Sequence, residues 1–347
     1  MIEPFEALLF VLLLLSSLAV MYLEDLFAAA MITAIFSLLS ACLYTLMDAV
    51  DVAFTEAAVG AGISTVLILG TLSLTTHKEH QQRLRIWPLV AVVITGAALI
   101  YGTLDMPAFG SPDAVIHHHL VARFIEGATT EFGIPNIVTI LLASYRGYDT
   151  MGETTVIFTA TIGVLLLLGA LKRKRKAPPS PDALPEPDDI DNDSPRQMQD
   201  FAILKVVCTA LIPFILLYAL YVQFHGDFGP GGGFQAGVIF GTGLILFGLV
   251  FGLRPMHRLA PSLWLEIGLV VGLMLYAGTG IAALAMGGTF LDYAVFDAHS
   301  AKHGRHIGIL LVEGGVGITV ACSMTLIFYA VAGRKRARGE VQGGGKS

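Results

Sequence analysis

Charge is scarce in this 347-residue chain. Only 14% of its residues are Asp, Glu, Lys or Arg, where a soluble domain of ordinary composition carries about 25%. Cysteine is scarce too: Cys42, Cys208 and Cys322 each stand alone in an apolar run, with no CxxC pair. That argues against a disulfide framework or a metal cluster. No Walker A sequence, Ser/His/Asp triad, haem CxxCH or iron–sulfur spacing is present, so nothing points to self-contained enzymology or to a bound cofactor. The short alternating segments of a transmembrane barrel are missing as well. The N-terminus, Met1-Ile-Glu-Pro-Phe-Glu6, lacks a basic region and a clear cleavage site. The first apolar run is therefore expected to be retained as a helix rather than removed as a signal peptide.

What is present is long apolar sequence; 55% of the residues are hydrophobic. A membrane-spanning helix needs about 20 mostly apolar residues. Nine runs qualify, at 5–23, 26–47, 52–75, 87–104, 153–171, 202–224, 232–253, 262–286 and 306–332. The expected fold is all-α, a polytopic helical membrane protein. Basic residues set its orientation. Lys78, Arg83 and Arg85, the run Lys172 to Lys176, Arg254 with His257 and Arg258, and Arg334 to Arg338 all fall on one side if nine helices alternate. This predicts an outside N-terminus and a cytoplasmic C-terminus in the cell (inner) membrane.

The stretch 177–200 breaks the pattern. It is acidic, rich in proline and poor in apolar residues, so it cannot bury enough surface to fold. It reads as a cytoplasmic linker between a five-helix unit, 1–176, and a four-helix unit, 201–338, with a flexible tail at 339–347. Such an arrangement suggests two fused membrane proteins. Residues 105–152 form a long outer connection, beginning with the helix breakers Pro107, Gly110 and Pro112. Within it, 114–127 has the pattern of an amphipathic helix. Residues 135–146 are apolar but too short to span, which fits a re-entrant or interfacial segment.

Glu56 stands out within this background. A charge at membrane depth costs roughly 2.5–3.5 kcal/mol on insertion scales and is kept where it is paired or useful. Glu56 is followed by Ala57, Ala58, Gly60, Ala61, Gly62 and Ser64. Small residues allow close helix approach, and glycines ease local departures such as a π-bulge. Glu56 is thus the candidate Na⁺ ligand or proton relay, with a packing role as the alternative. Asp48 and Asp51 lie at the rim of the same hairpin and suit cation entry, with ordinary solvated rim acids as the alternative. Arg146, Asp149 and Glu153 fall within eight residues beside an apolar span, either as a buried network on a proton path or as a surface staple. His117, His118 and His119 are consecutive, so they do not share one helix face and make a poor metal site; one of them can still titrate near neutral pH. Glu313 lies deep in the ninth run and is a candidate for the ion path, with packing as the alternative; Glu266, nearer a boundary in the eighth, is a weaker candidate. The sequence His225-Gly-Asp-Phe-Gly-Pro-Gly-Gly-Gly-Phe-Gln235 joins two spans. Without a preceding strand it is not a nucleotide loop. His225, Pro230, Gly231, Gly232 and Gly233 instead read as a tight structural turn with close helix contact.

These motifs together carry a resemblance. The second unit, through His225 to Phe234 and Glu313-Gly-Gly-Val-Gly-Ile-Thr319, resembles the B subunit of the multisubunit Mrp-type Na⁺/H⁺ antiporters. Asp227-Phe228 departs from the His-Asn-Ser or similar sequence more usual there. The first unit, through Asp51 to Gly60, Asn136 and Tyr145 to Glu153, resembles the C-terminal five-helix part of the antiporter's A subunit. It is also similar to small membrane subunits of energy-converting hydrogenases, which share membrane-arm ancestry with respiratory complex I. The resemblance implies a component of an antiporter, moving Na⁺ and H⁺ as cargo. Its expected partners are large antiporter-like subunits, small membrane subunits and lipid, not nucleic acid. It implies Na⁺ translocation in the region of Glu56. The alternatives are a membrane subunit of a hydrogenase or complex I-like oxidoreductase, and a scaffold that carries no ion.

Overall fold

The computed structural model describes residues 4–72, 78, 86–108, 110–173 and 202–332. The expected linker at 177–200, the tail at 339–347, and the basic residues Arg83, Arg85, Arg334 and Arg338 lie outside the described residues. The protein is a multi-pass helical membrane protein. Among the described residues, nine helices are long and apolar enough to cross a bilayer. We label them α1 (Pro4–Tyr22), α2 (Leu26–Leu46), α3 (Val50–Leu72), α4 (Ile86–Thr103), α5 (Gly147–Arg173), α6 (Ala202–His225), α7 (Gly233–Phe251), α8 (Ser262–Ala285) and α9 (Ala301–Ala332).

Each predicted span corresponds to one of these helices, but two begin five or six residues earlier than hydropathy indicated. Helix α5 starts at Gly147 rather than 153, and α9 at Ala301 rather than 306. In both, the added turns are polar and held by protein contacts, which an apolar window does not register. The Arg146 guanidinium pairs with Asp149, three residues on, at 2.5 Å. In the first turns of α9, Lys302 Nζ donates to the Thr129 carbonyl and Arg305 Nη1 to that of Glu131.

Helix α9 is the centre of the bundle. It packs against α5, α7 and α8 and touches the end of α3. Its contacts are made by small residues. A Cβ at Gly237 of α7 would lie 2.6 Å from the Gly317 carbonyl of α9, and one at Gly272 of α8 would lie 2.6 Å from that of Gly315. Close backbone approach of this kind is how helices associate where lipid removes the hydrophobic drive. The side chains of Thr161 and Ser323 join α5 to α9 at 2.5 Å. On α2, Ala30, Ala34, Ser37 and Ala41 form a buried stripe of small residues, and α1 and α3 pack on this helix. By contrast α4 buries no residue and α1 buries only Leu9. Their apolar surfaces face outward.

Helix α3 is not regular. Immediately after Glu56 it widens into a π-helical segment, Ala57–Ile63, where the run of Ala and Gly offers little resistance. The connection from α4 to α5 contains the short helices Val115–His119 and Val121–Gly127, then a π turn ending at Gly133 with φ 72°. It continues through Ile137–Ile140 into a third π segment, Leu141–Tyr145. Ile140 and Ala143 are buried. The Tyr293 and Tyr276 hydroxyls donate to the carbonyls of Ala143 and Gly147, each at 2.8 Å. The segment that is too short to span is thus docked against protein, as irregular backbone in such a setting must be.

Candidate functional site

The glycine-rich turn 226–232 connects α6 to α7, and it is clasped from both halves of the chain. Asn136 caps the Ile137–Ile140 helix, its side-chain oxygen accepting from the Val138 amide at 2.9 Å. Its Nδ2 donates to the carbonyls of Gly226 and Gly229 at 2.8 and 2.9 Å. Thr139 Oγ1 adds a bond to the Gly226 carbonyl at 2.7 Å. From α3, Asp51 Oδ1 accepts from the Gly231 amide at 3.1 Å. One helical turn on, Thr55 Oγ1 accepts from the buried Gln235 Nε2 at 2.8 Å. Gly232 has φ 120°, a conformation open to glycine and costly for other residues.

The turn rests on Glu313. A side chain at Gly233 would strike the Glu313 carbonyl, and a Cβ at Gly232 would lie 3.2 Å from Glu313 Oε1. Beside them opens a cavity of about 570 Å³. Its polar lining includes Asp51, Thr55, Thr150, Glu153, Gln235 and Glu313. Asp51 belongs to α3, Glu153 to α5 and Glu313 to α9, so three carboxylates from three helices face one space. Glu153 is exposed, so the cavity reaches the surface of the chain there. Among the described residues, no protein donor is within hydrogen-bond distance of the Glu313 carboxylate, and its charged neighbours are Asp227 and Asp51. Asp227 is buried within the turn, and its Oδ2 lies 2.9 Å from His306 Nε2 on α9. Burial pushes the Asp227 carboxyl above its usual range, against the opposing pull of His306.

Sequence-predicted residues thus fall in different places. Asp51, Glu153 and Glu313 are brought together with the turn formed by Pro230, Gly231, Gly232 and Gly233. Glu56 is not among the residues lining this cavity. It lies against α2, where its Oε1 accepts from Ser37 Oγ at 2.6 Å. Gly60 makes room for that bond, since a Cβ there would collide with Ser37 and come within 2.6 Å of the Glu56 carboxylate. Asp48 is exposed in the turn between α2 and α3, with φ 58°. Arg146 and Asp149 pair on the surface, with side chains 61% and 50% exposed. They form the staple rather than the buried network, because Glu153, one turn further along α5, points to the cavity instead. Glu266 and His117 to His119 are exposed. The His225 ring stacks on Tyr221 at 4.9 Å. Thr55, Tyr276 and the Asp227–His306 pair were not legible as site residues. Asp227 registered only as a departure from a pattern, and His306 only as the start of an apolar run.

Three family models match the chain. Residues 11–77 match MbhD, the D subunit of MBH, and residues 85–188 match MbhE, its E subunit. Residues 203–326 match a domain related to the MnhB subunit of Na⁺/H⁺ antiporter. A protein from Rhizobium meliloti (strain 1021), described as a probable A/B subunit of a K(+)/H(+) antiporter, is 27% identical over 61% of this chain and 22% of its own length. A putative antiporter subunit mnhB2 from Staphylococcus haemolyticus (strain JCSC1435) is 31% identical over 38% of this chain and 95% of its own length. Among solved structures, the Mrp complex from Dietzia sp. DQ12-45-1b shares the fold, with TM-score 0.71 and 22% identity over 94% of this chain and 34% of that chain. The chain spans about a fifth of the Rhizobium relative and about a third of the Mrp chain. The chain belongs to the family of MnhB-related Na⁺/H⁺ antiporter subunits, carried on one polypeptide with MbhD and MbhE domains.

Proposed function

We propose that this chain is a membrane subunit of an Mrp-type cation/proton antiporter and that its cavity forms part of the ion path. The observation that supports this is the convergence of Asp51, Glu153 and Glu313 on one cavity beside the glycine turn. Intramembrane carboxylates are costly and mark ion paths by default. Glu313, without a protein donor, is the group best suited to exchange a proton for a cation. Threonine and glutamine oxygens beside it are hard ligands suited to an alkali cation. The cargo is H⁺ with Na⁺ or K⁺, since antiporters of both kinds are among the relatives. Glu56, bonded to Ser37 at the π-helical segment of α3, is proposed as a second cation site. No catalytic role and no bound cofactor are assigned. Its partners would be the large antiporter-like subunits and further small membrane subunits, embedded in lipid. The basic clusters of the sequence support a cytoplasmic C-terminus, with the glycine turn on the outer face.

The purified complex tests this reading directly. Adding Na⁺ in weak buffer should release protons, and Glu313→Gln should abolish the release; unchanged release from an assembled Glu313→Gln complex contradicts the reading. A second reading is favoured by the MbhD and MbhE matches: a membrane subunit of a hydrogenase or related oxidoreductase. Co-purification of a [NiFe] catalytic subunit would decide for it.

A further inference from the structure

The first turns of α9 carry several basic side chains, and most are engaged with the outer connections. Lys302 donates to the Thr129 carbonyl, His303 Nδ1 lies 2.7 Å from Asp297 Oδ2, and Arg305 donates to the Glu131 carbonyl. His306 differs. Its partner is Asp227, a buried carboxylate inside the glycine turn, while its own side chain is 43% exposed. One group of this pair is thus half-exposed and the other is buried in the protein. Glu313 follows His306 by seven residues, which puts both on one face of α9, roughly 10 Å apart along the axis. Asp227 is also a charged neighbour of Glu313. The remaining groups around the turn are Asp51 from α3 and His225 from α6, with Asn136 and Thr139 neutral.

We propose that His306 and Asp227 form the proton entry that serves Glu313 from the aqueous face at the glycine turn. A proton from water binds the His306 ring nitrogen turned away from Asp227. The Nε2 proton passes to Asp227 Oδ2, leaving a neutral ring with its tautomer exchanged. Asp227, which is not itself among the residues lining the cavity, then passes the proton by way of water to its charged neighbour Glu313 and returns to its anion. Ring reorientation resets the histidine, so no charge is created or lost. A cavity lined by carboxylates has the polar partners that hold water. Burial raises the Asp227 carboxyl above its ordinary range, against the opposing pull of His306.

This inference rests on the ion-path reading above, and the test separates the two. The assembled complex is reconstituted in liposomes, and proton movement driven by a Na⁺ gradient is followed across pH. His306→Ala should slow it about a hundredfold. Added imidazole should restore it, and substituted imidazoles should do so in the order of their pKa values. Asp227→Asn should be equally slow but deaf to imidazole. His306→Ala at the wild-type rate, or slow without rescue, overturns the inference. If Glu313→Gln is then inactive, the ion-path reading survives that failure. If Glu313→Gln is as fast as wild type, the ion-path reading fails and the proton entry falls with it.

Discussion

Glu313 and Glu56 are both acids within apolar sequence, yet their surroundings differ in kind. Glu56 has a hydroxyl donor, Ser37, and a glycine that makes room for it. Glu313 has a cavity, acidic neighbours and the glycine turn. Glu56→Gln keeps size and hydrogen bonding but removes charge. If Glu56 holds a cation, this variant weakens Na⁺-dependent proton movement at least about tenfold, and Glu56→Asp keeps part of it; a packing role gives the reverse order. The measurement is transport by the assembled complex from limiting to saturating Na⁺. Gly233→Ala makes a different point. Its methyl group meets backbone rather than a movable side chain, so overpacking of about 1–3 kcal/mol is expected. The melting temperature of the complex should fall, and an unchanged value would show that α7 and α9 can separate without cost.

At the scale of elements, the spans were legible because a bilayer demands about 20 apolar residues wherever a helix crosses it. The glycine turn was legible because Pro-Gly-Gly-Gly between two spans has few other readings. The Ala and Gly after Glu56 suggested a local departure from α geometry, and a π-helical segment lies there. The clasp of Asn136, Thr139 and Asp51 around the turn was not legible, since it joins residues some 90 and 180 positions apart. Asn136→Ala should therefore act on both halves, losing a helix cap and two bonds to the turn, about 2 kcal/mol in all. Crosslinking between cysteines placed in the 137–145 segment and the turn would fall if this is right. The connection between α4 and α5 carries a pH signature. The Glu131 carboxyl is held below its usual range chiefly by the hydrogen bond from Arg123. That stabilisation is present above the ordinary carboxylate pKa and is lost as pH falls through the lowered one. Pepsin should thus cut near 123–133 only in strong acid, and Glu131→Gln should remove that pH dependence.

For the whole molecule, the outward apolar faces of α1 and α4 are open to lipid or to partner subunits. No residue of α4 and only Leu9 of α1 is buried, and lipid alone does not explain why acids line a cavity that reaches the surface at Glu153. We expect the isolated chain to lose its fold in detergent at temperatures where the assembled complex is intact, as read by intrinsic fluorescence. Cutting the 177–200 linker in the assembled complex should leave both units in place, because their contacts at the turn and at Thr161–Ser323 already hold them. If carboxylates from α3, α5 and α9 share one ion path, Na⁺-driven proton movement in liposomes containing the complex depends on Glu313. The Glu313→Gln complex should assemble and transport about a hundredfold below the wild-type rate at every Na⁺ concentration. Assembled complex transporting at the wild-type rate would contradict it.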